Sequence, residues 1–285
     1  MMGYGDTEAP EIESEDYHMY GFKRAADDLA ALAKQLDASN VIVAGHDWSV
    51  YQLKTAMIYG RQADLVLRGG MIAYRFAQWY PDLVKYIIVI ATPYAPKLNK
   101  YVDLEQRVKQ FPQLGYQLQF EGSSIKNAVQ TREDYIQFFR AFYGGRSSSG
   151  KQLMVPRTGL ALDLLKRPIG PSPLADDMEV EYYADQFRKN GIDKALNWYR
   201  NRAANFEEEK ELPTNKVQQP TLFVLAAKDD ILTRDMATGV GKYIPNLTRQ
   251  EVSTGHWALW QAPQEINDYM KDWLNQMMFA GRSSL

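Results

Sequence analysis

With 285 residues, 45% of them hydrophobic and 24% charged, the chain has a globular composition and enough length for one large core or a core with an inserted subdomain. A net charge of −2 with scattered basic residues gives no footprint for nucleic acid, and no run of eighteen apolar residues offers a membrane span. The absence of cysteine removes disulfides, thiolate metal sites and cysteine nucleophiles, leaving chemistry to carboxylates, hydroxyls, lysines and three histidines.

The first residues, MMGYGDTEAP, lack the basic and apolar regions of a signal peptide, so the expected compartment is the cytosol. The ending, Arg282-Ser283-Ser284-Leu285, resembles a peroxisomal Ser-Lys-Leu tail without its basic residue. Over residues 15 to 37, Tyr20, Phe22, Ala25, Leu29, Leu32 and Leu36 follow the spacing of one helix face, with Asp16 as candidate N-cap. Three uniformly apolar runs then read as strands buried on both faces: residues 40 to 45, 86 to 91 and 221 to 226. Such strands alternating with amphipathic helices predict an α/β protein with a mostly parallel, doubly wound sheet, its functional groups at the strand carboxyl ends. Between Pro96 and about Pro213 the sequence turns polar and aromatic, which predicts an inserted helical cap; Gly144 to Gly150 has the composition of a flexible loop within it. The expected organisation is therefore a core from residues 1 to 95, a cap from 96 to 213 and the rest of the core from 214 to 285. A final helix is expected from Pro263 to Met278, with Ile266, Met270, Trp273 and Met277 on its inner face.

The chemistry concentrates at three places. Gly45-His46-Asp47-Trp48-Ser49 follows a strand and has the form small-x-nucleophile-x-small, as a sharp strand-to-helix turn requires. The nucleophile position holds Asp, whose attack at an sp³ carbon gives an ester that water can cleave, whereas serine would leave a stable ether. Aspartate here points to epoxides or alkyl halides. His256, in Thr254-Gly255-His256-Trp257 after an expected strand from Thr248 to Val252, suits a general base. Asp229 follows the strand at 221 to 226 and suits the acid that orients it, with the adjacent Asp230 as a turn residue. Each has a structural alternative: Asp47 as a helix cap, His256 as a core histidine. His46 is expected to fix the turn, His18 to be solvated, and Glu207-Glu208-Glu209 to form a solvated face.

His46-Asp47-Trp48, Gly69-Gly70-Met71, Ala226-Ala227-Lys228-Asp229 and Gly255-His256-Trp257 resemble the core motifs of the soluble epoxide hydrolases of the α/β-hydrolase fold, and Gly3-Tyr4-Gly5 resembles the loop after their preceding strand. Gly115-Tyr116-Gln117-Leu118 and Leu196-Asn197-Trp198-Tyr199-Arg200-Asn201 resemble the two cap segments that each supply a tyrosine in that family. The resemblance implies that Tyr116 and Tyr199 hydrogen-bond the epoxide oxygen, that Asp47 opens the ring to an alkyl-enzyme ester, and that His256, held by Asp229, activates water to release a vicinal diol. It assigns Trp48, Gln117 and Trp257 to the oxyanion and substrate contacts. No metal or organic cofactor is implied; the implied partners are a small apolar epoxide and water, and a homodimer is compatible with the sequence.

The sequence departs from the family twice. It begins at the Gly-Tyr-Gly loop, without the upstream His-Gly-x-Pro loop that supplies one oxyanion donor; Trp48 N–H would then stand alone, at a cost of about a hundred- to a thousandfold in rate. Residues 49 to 68 separate Trp48 from Gly69-Gly70. Reading Trp48 directly into Gly69 restores Asp-Trp-Gly-Gly-Met and a helix from Ile72 to Trp79, as a retained intron or mistaken gene model would. Alternatively Ser49 takes the small position, Val50 to Tyr59 forms the helix, and Gly69-Gly70 opens a second one. Two rival functions follow: a haloalkane dehalogenase-like hydrolase, which needs halide donors instead of tyrosines, and a catalytically impaired hydrolase-fold protein.

Overall fold

Strands that are apolar on both sides need cover on both faces, and the central sheet has it. The computed structural model describes residues 2–12, 17–47, 58–59 and 62–280. In chain order these form helix α1 (Phe22–Gln35), strands β1 (Val41–His46), β2 (Ile58–Tyr59) and β3 (Gln62–Arg68), helix α2 (Gly70–Trp79) and strand β4 (Val84–Ile90). Helices α3 (Leu104–Gln110), α4 (Tyr116–Glu121), α5 (Ser124–Ala128) and α6 (Arg132–Phe142) precede a short antiparallel pair, β5 (Met154–Val155) and β6 (Gly159–Leu160). Helices α7 (Asp177–Asn190), α8 (Ile192–Arg200) and α9 (Arg202–Glu209) lead into β7 (Thr221–Ala226), β8 (Leu247–Val252), α10 (Ala258–Gln261) and α11 (Pro263–Ala280).

The chain divides into two compact units, Phe22–Leu98 with Glu208–Leu285, and Met1–Gly21 with Asn99–Glu207. In the first, a six-stranded sheet has the order β2-β3-β1-β4-β7-β8, parallel except for β2 against β3. Alternate residues of one strand serve opposite faces. Val41, Val43, Ile87 and Val89 pack with Ala26, Ala33, Met71 and Phe76 of α1 and α2. Ile42, Ala44, Ile88, Ile90, Leu222 and Val224 pack instead with Ile266 and Trp273 of α11. This is the doubly wound arrangement expected of the three apolar runs, and β1, β7 and β8 end at the same sheet edge, where His46, Ala226 and Val252 deliver their following loops.

α1 buries only part of the expected line. Ala26 and Ala33 are in the core with Phe22 and Leu29 packed against it, while Leu32 and Leu36 are exposed. The helix also begins later, after a 3-10 turn at Tyr17–Tyr20 and Gly21, and Asp16, the expected N-cap, lies outside the described residues. Glu209 departs from the solvated face expected of the acidic run. Its carboxylate accepts from the Nε of Arg75 at 2.8 Å, and that guanidinium is buried and also donates to Gln78 and to the carbonyl of Ala95. A charge so far from water needs a partner, and a surface-like acidic run supplies it.

In the second unit, α6 and α7 pack an aromatic core of Phe138, Phe139, Tyr183 and Phe187. The segment Gly144 to Gly150 is tied by antiparallel bridges from Arg146 to Gln152 and from Ser147 to Ile169, and the β5–β6 pair adds strand to a region expected to be helical. The described residues of the first segment, 2 to 12 and 17 to 21, expected with the sheet, group with this unit. The ring of Tyr4 lies edge-on to Phe187 at 5.3 Å, Asn190 donates to the carbonyls of Gly5 and Thr7, and Trp198 Nε1 donates to the carbonyl of Met2 at 3.0 Å. No described helix is long and apolar enough to cross a membrane.

Candidate active site

The turn after β1 carries Asp47 at φ 61°, a left-handed backbone conformation uncommon outside glycine, although aspartate tolerates it better than most residues. Its surroundings hold it there. Gly69 N–H donates to the carbonyl of His46 at 3.1 Å, and Gly70 N–H donates to the carbonyl of Asp47. α2 thus starts directly against the turn. A Cβ on Gly45 would lie 3.0 Å from Gly70 Cα, and one on Gly70 would lie 2.5 Å from Cβ of Thr92 and 2.6 Å from Cγ1 of Val89. Gly45, Gly69 and Gly70 are therefore packed closely around the Asp47 turn, and Ile72 to Trp79 is helical as expected. Trp48 and Ser49 lie outside the described residues, as do the expected helical positions 50 to 57; Ile58 and Tyr59 are strand.

β7 ends at Ala226, and Asp229 follows in a tight turn whose amides donate to Ala226 and Val252. One carboxylate oxygen of Asp229 accepts from the backbone N–H groups of Ile231 at 2.8 Å and Leu232 at 3.0 Å, and the other is 2.8 Å from Nδ1 of His256. Asp230 is exposed. Nε2 of His256 lies 3.4 Å from Oδ2 of Asp47. The imidazole is therefore held between two buried carboxylates. Burial opposes its positive charge, but Asp47 and then Asp229 outweigh that and hold its pKa well above the usual histidine range. For Asp229, burial opposes ionisation; the charge and hydrogen bond of His256 and the two amides prevail and hold it below the usual carboxylate range.

His46 is held the opposite way. Its burial, then the neighbouring charge of His256, push it down to about 4, so it is neutral at pH 7. Because a carbonyl only accepts, the Nε2–H of His46 donates to the backbone oxygen of His256 at 2.9 Å and ties the histidine loop to the aspartate turn. Trp257 and Trp260 complete an aromatic wall, with Trp257 5.1 Å from the His256 ring and 5.9 Å from Trp260. Among the described residues no cluster of His, Asp and Glu could hold a metal ion.

The second unit presents its own polar group. Tyr116 and Gln117 open α4 and Tyr199 lies near the end of α8; all three are buried. The Tyr116 and Tyr199 rings are 6.2 Å apart, and Phe120 lies edge-on to both, 5.4 Å from Tyr116 and 5.1 Å from Tyr199. Arg200 clamps the two helices, its Nε donating to the carbonyl of Glu121 at 2.8 Å and its Nη2 to that of Gly122 at 3.1 Å. Gly115 has no room for a Cβ, which would meet the carbonyl oxygen of Arg157. Gln117 Nε2 is 3.4 Å from the Tyr116 hydroxyl, and its Oε1 accepts from Arg202 Nη2 at 3.1 Å. Arg200 and Arg202 were not singled out in the sequence; their signal is that they flank the tyrosine in Trp198-Tyr199-Arg200-Asn201-Arg202.

A parallel sheet with Asp47, Asp229 and His256 in that chain order, each just beyond a strand's carboxyl end, has the layout of an α/β hydrolase. The chain belongs to the α/β-hydrolase fold family, whose model matches residues 68–263. Among curated proteins it is 29% identical to epoxide hydrolase srdG of Neurospora crassa, covering 98% of this chain and 78% of that protein. It is 27% identical to the bifunctional epoxide hydrolase 2 of Rattus norvegicus over 96% of this chain, and spans 45% of the rat protein. Among solved structures, epoxide hydrolase I of potato (Solanum tuberosum) shares the fold with a TM-score of 0.73 at 21% identity, covering 96% of this chain and 82% of that one.

Proposed function

We propose that the chain hydrolyses an apolar epoxide to a vicinal diol through an ester on Asp47. The names of its relatives support the substrate class, and the observation that carries the mechanism is the His256 imidazole set between Asp47 and Asp229, at 3.4 Å and 2.8 Å. In the first half-reaction an Asp47 oxygen bonds to a ring carbon, the carbon–oxygen bond breaks, and its electron pair goes to the epoxide oxygen, which takes a proton from Tyr116 or Tyr199. A phenol suits this task because the charge it answers develops only as the ring opens. The aromatic composition of the 99–207 unit favours an apolar substrate.

The electrostatics give the second half-reaction its timing. While Asp47 is ionised, its charge favours protonated His256, which is a poor base. Esterification removes that charge, so the imidazole loses its strongest electrostatic support and burial drives it toward the neutral form, its proton passing through solvent to the phenolate left by ring opening. Nε2 then accepts a proton from water as the water attacks the ester carbonyl, and Asp229 stabilises the imidazolium. Collapse of the tetrahedral intermediate returns the Asp47 carboxylate and the diol, and the proton taken from water stays on His256, which restores the resting ion pair.

The test is diol formation from a panel of aryl and alkyl epoxides by the purified chain and by Asp47→Ala. Turnover that disappears in the variant is the expected result. Equal turnover in both would remove Asp47 from the mechanism, and halide release from chloroalkanes without epoxide turnover would favour the dehalogenase alternative.

A further inference from the structure

Arg202 opens α9 with its guanidinium drawn out of water, and its Nε is buried with no hydrogen-bond partner among the described residues. Arg107 nearby has the same deficit, its guanidinium lying 4.8 Å over the Phe111 ring. No carboxylate reaches either within ion-pair distance among the described residues; Glu121 and Asp103 act on Arg202 only through space. Two desolvated like charges with no contacting counterion are costly, and packing alone would be better served by an apolar residue. What Arg202 does contact is the oxygen of Gln117, at 3.1 Å.

Resting on the reading of Tyr116 as an acid for ring opening, we propose that Arg202 is a positioning residue that, through Gln117, orients the Tyr116 hydroxyl so that its proton is presented to the epoxide oxygen. A guanidinium only donates, so it dictates which end of the Gln117 amide faces it: the oxygen. The amide NH2 must then face the Tyr116 oxygen, where the separation is 3.4 Å. That oxygen accepts, so the phenol proton is directed away from Gln117. The relay runs from a cation through an amide to a phenol oxygen, and every member polarises the next in the direction that favours negative charge on the phenol as the proton leaves. Without Arg202 the amide is free to turn over, its oxygen would take the phenol proton, and the donor would be lost to the reaction. The charged and titratable groups around Arg202 are Glu121, Tyr101, Asp103, Tyr116 and Arg107.

The experiment separates the two half-reactions by rapid quench and mass measurement of the Asp47 ester in wild type, Arg202→Met, Arg202→Lys, Gln117→Glu and Tyr116→Phe. Arg202→Met is expected to slow ester formation by about ten- to a hundredfold with KM and ester hydrolysis little changed. Arg202→Lys, which keeps a cationic donor, is expected to restore most of the rate. Gln117→Glu keeps the acceptor for Arg202 but replaces the donor to Tyr116, and is expected to match Tyr116→Phe. In the Tyr116→Phe background Arg202→Met should cost nothing further. The proposal is overturned if Arg202→Met slows both half-reactions alike, if its cost persists without the Tyr116 hydroxyl, or if Gln117→Glu forms the ester at the wild-type rate. A wild-type enzyme that forms no ester at Asp47 would instead remove the reading on which the relay rests.

Discussion

Replacing His46 with glutamine should flatten part of the acid sensitivity of the fold. Burial and the His256 charge lower the His46 pKa from 6.5 to about 4, so between those values the unfolded chain binds a proton that the folded chain refuses. Stability contributed by neutral His46 is therefore complete above pH 6.5 and is lost as pH falls toward 4. At roughly 1.4 kcal/mol per pKa unit, moving from pH 7.5 to pH 4.5 should cost the wild type about 2–3 kcal/mol through this residue alone. His256 has the opposite sign: its raised pKa makes its contribution grow as pH falls to 6.5, below which it is complete. Subtracting the variant's pH dependence from the wild type's leaves mainly the His46 share. His46→Gln keeps an N–H for the His256 carbonyl but cannot titrate. Urea denaturation of both proteins at the two pH values is the assay, and an identical loss of stability in each would refute the assignment of neutral, buried His46.

Three further outcomes follow from the same geometry. Asp229→Asn removes the charge that stabilises the imidazolium while leaving Asp47 in place, so ester formation should persist and ester hydrolysis should slow by about a hundred- to ten-thousandfold, seen as a stable mass adduct. Gly70→Ala drives a methyl group into Thr92 and Val89 beside the Asp47 turn, and should cost about 1–3 kcal/mol in urea denaturation together with most of the turnover. Glu209→Leu strands the buried Arg75 guanidinium and should cost about 3–5 kcal/mol, whereas Glu207→Gln, an exposed position in the same run, should stay within about 0.5 kcal/mol.

The sheet was legible because burial on both faces leaves a uniform apolar signature: the run from 221 to 226 is β7 residue for residue, and those at 40 to 45 and 86 to 91 lie within one or two residues of β1 and β4. The edge strand β8 was legible from its position before His256. The inner face of α1 was read only in part: Phe22 and Leu29 do pack against the core, but alanine carries little hydrophobic signal, and Ala26 and Ala33, not Leu32 and Leu36, complete it. Nothing in the local pattern of residues 1 to 21 announces that Tyr4 and Met2 meet Phe187 and Trp198, since those contacts join positions nearly two hundred residues apart. The β5–β6 pair has two-residue strands, too short for any alternation to register. At the candidate site, Asp47, Asp229 and His256 were legible from motif and chain order, and the structure brings them together. Which small residues pack the turn was open between Ser49 and Gly69-Gly70; the bond from Gly70 N–H to the Asp47 carbonyl places the glycines against it, and Ser49 lies outside the described residues. The Arg202–Gln117–Tyr116 chain was illegible because its order depends on side-chain directions between separate helices.

The most direct measurement is a single turnover in 18O-labelled water with enzyme in excess of epoxide. If Asp47 forms the ester, the first diol carries unlabelled oxygen taken from the carboxylate, and the peptide containing Asp47 gains the label. A first-turnover diol that carries the solvent label, with Asp47 unlabelled, would mean direct attack by water and would contradict the ester mechanism.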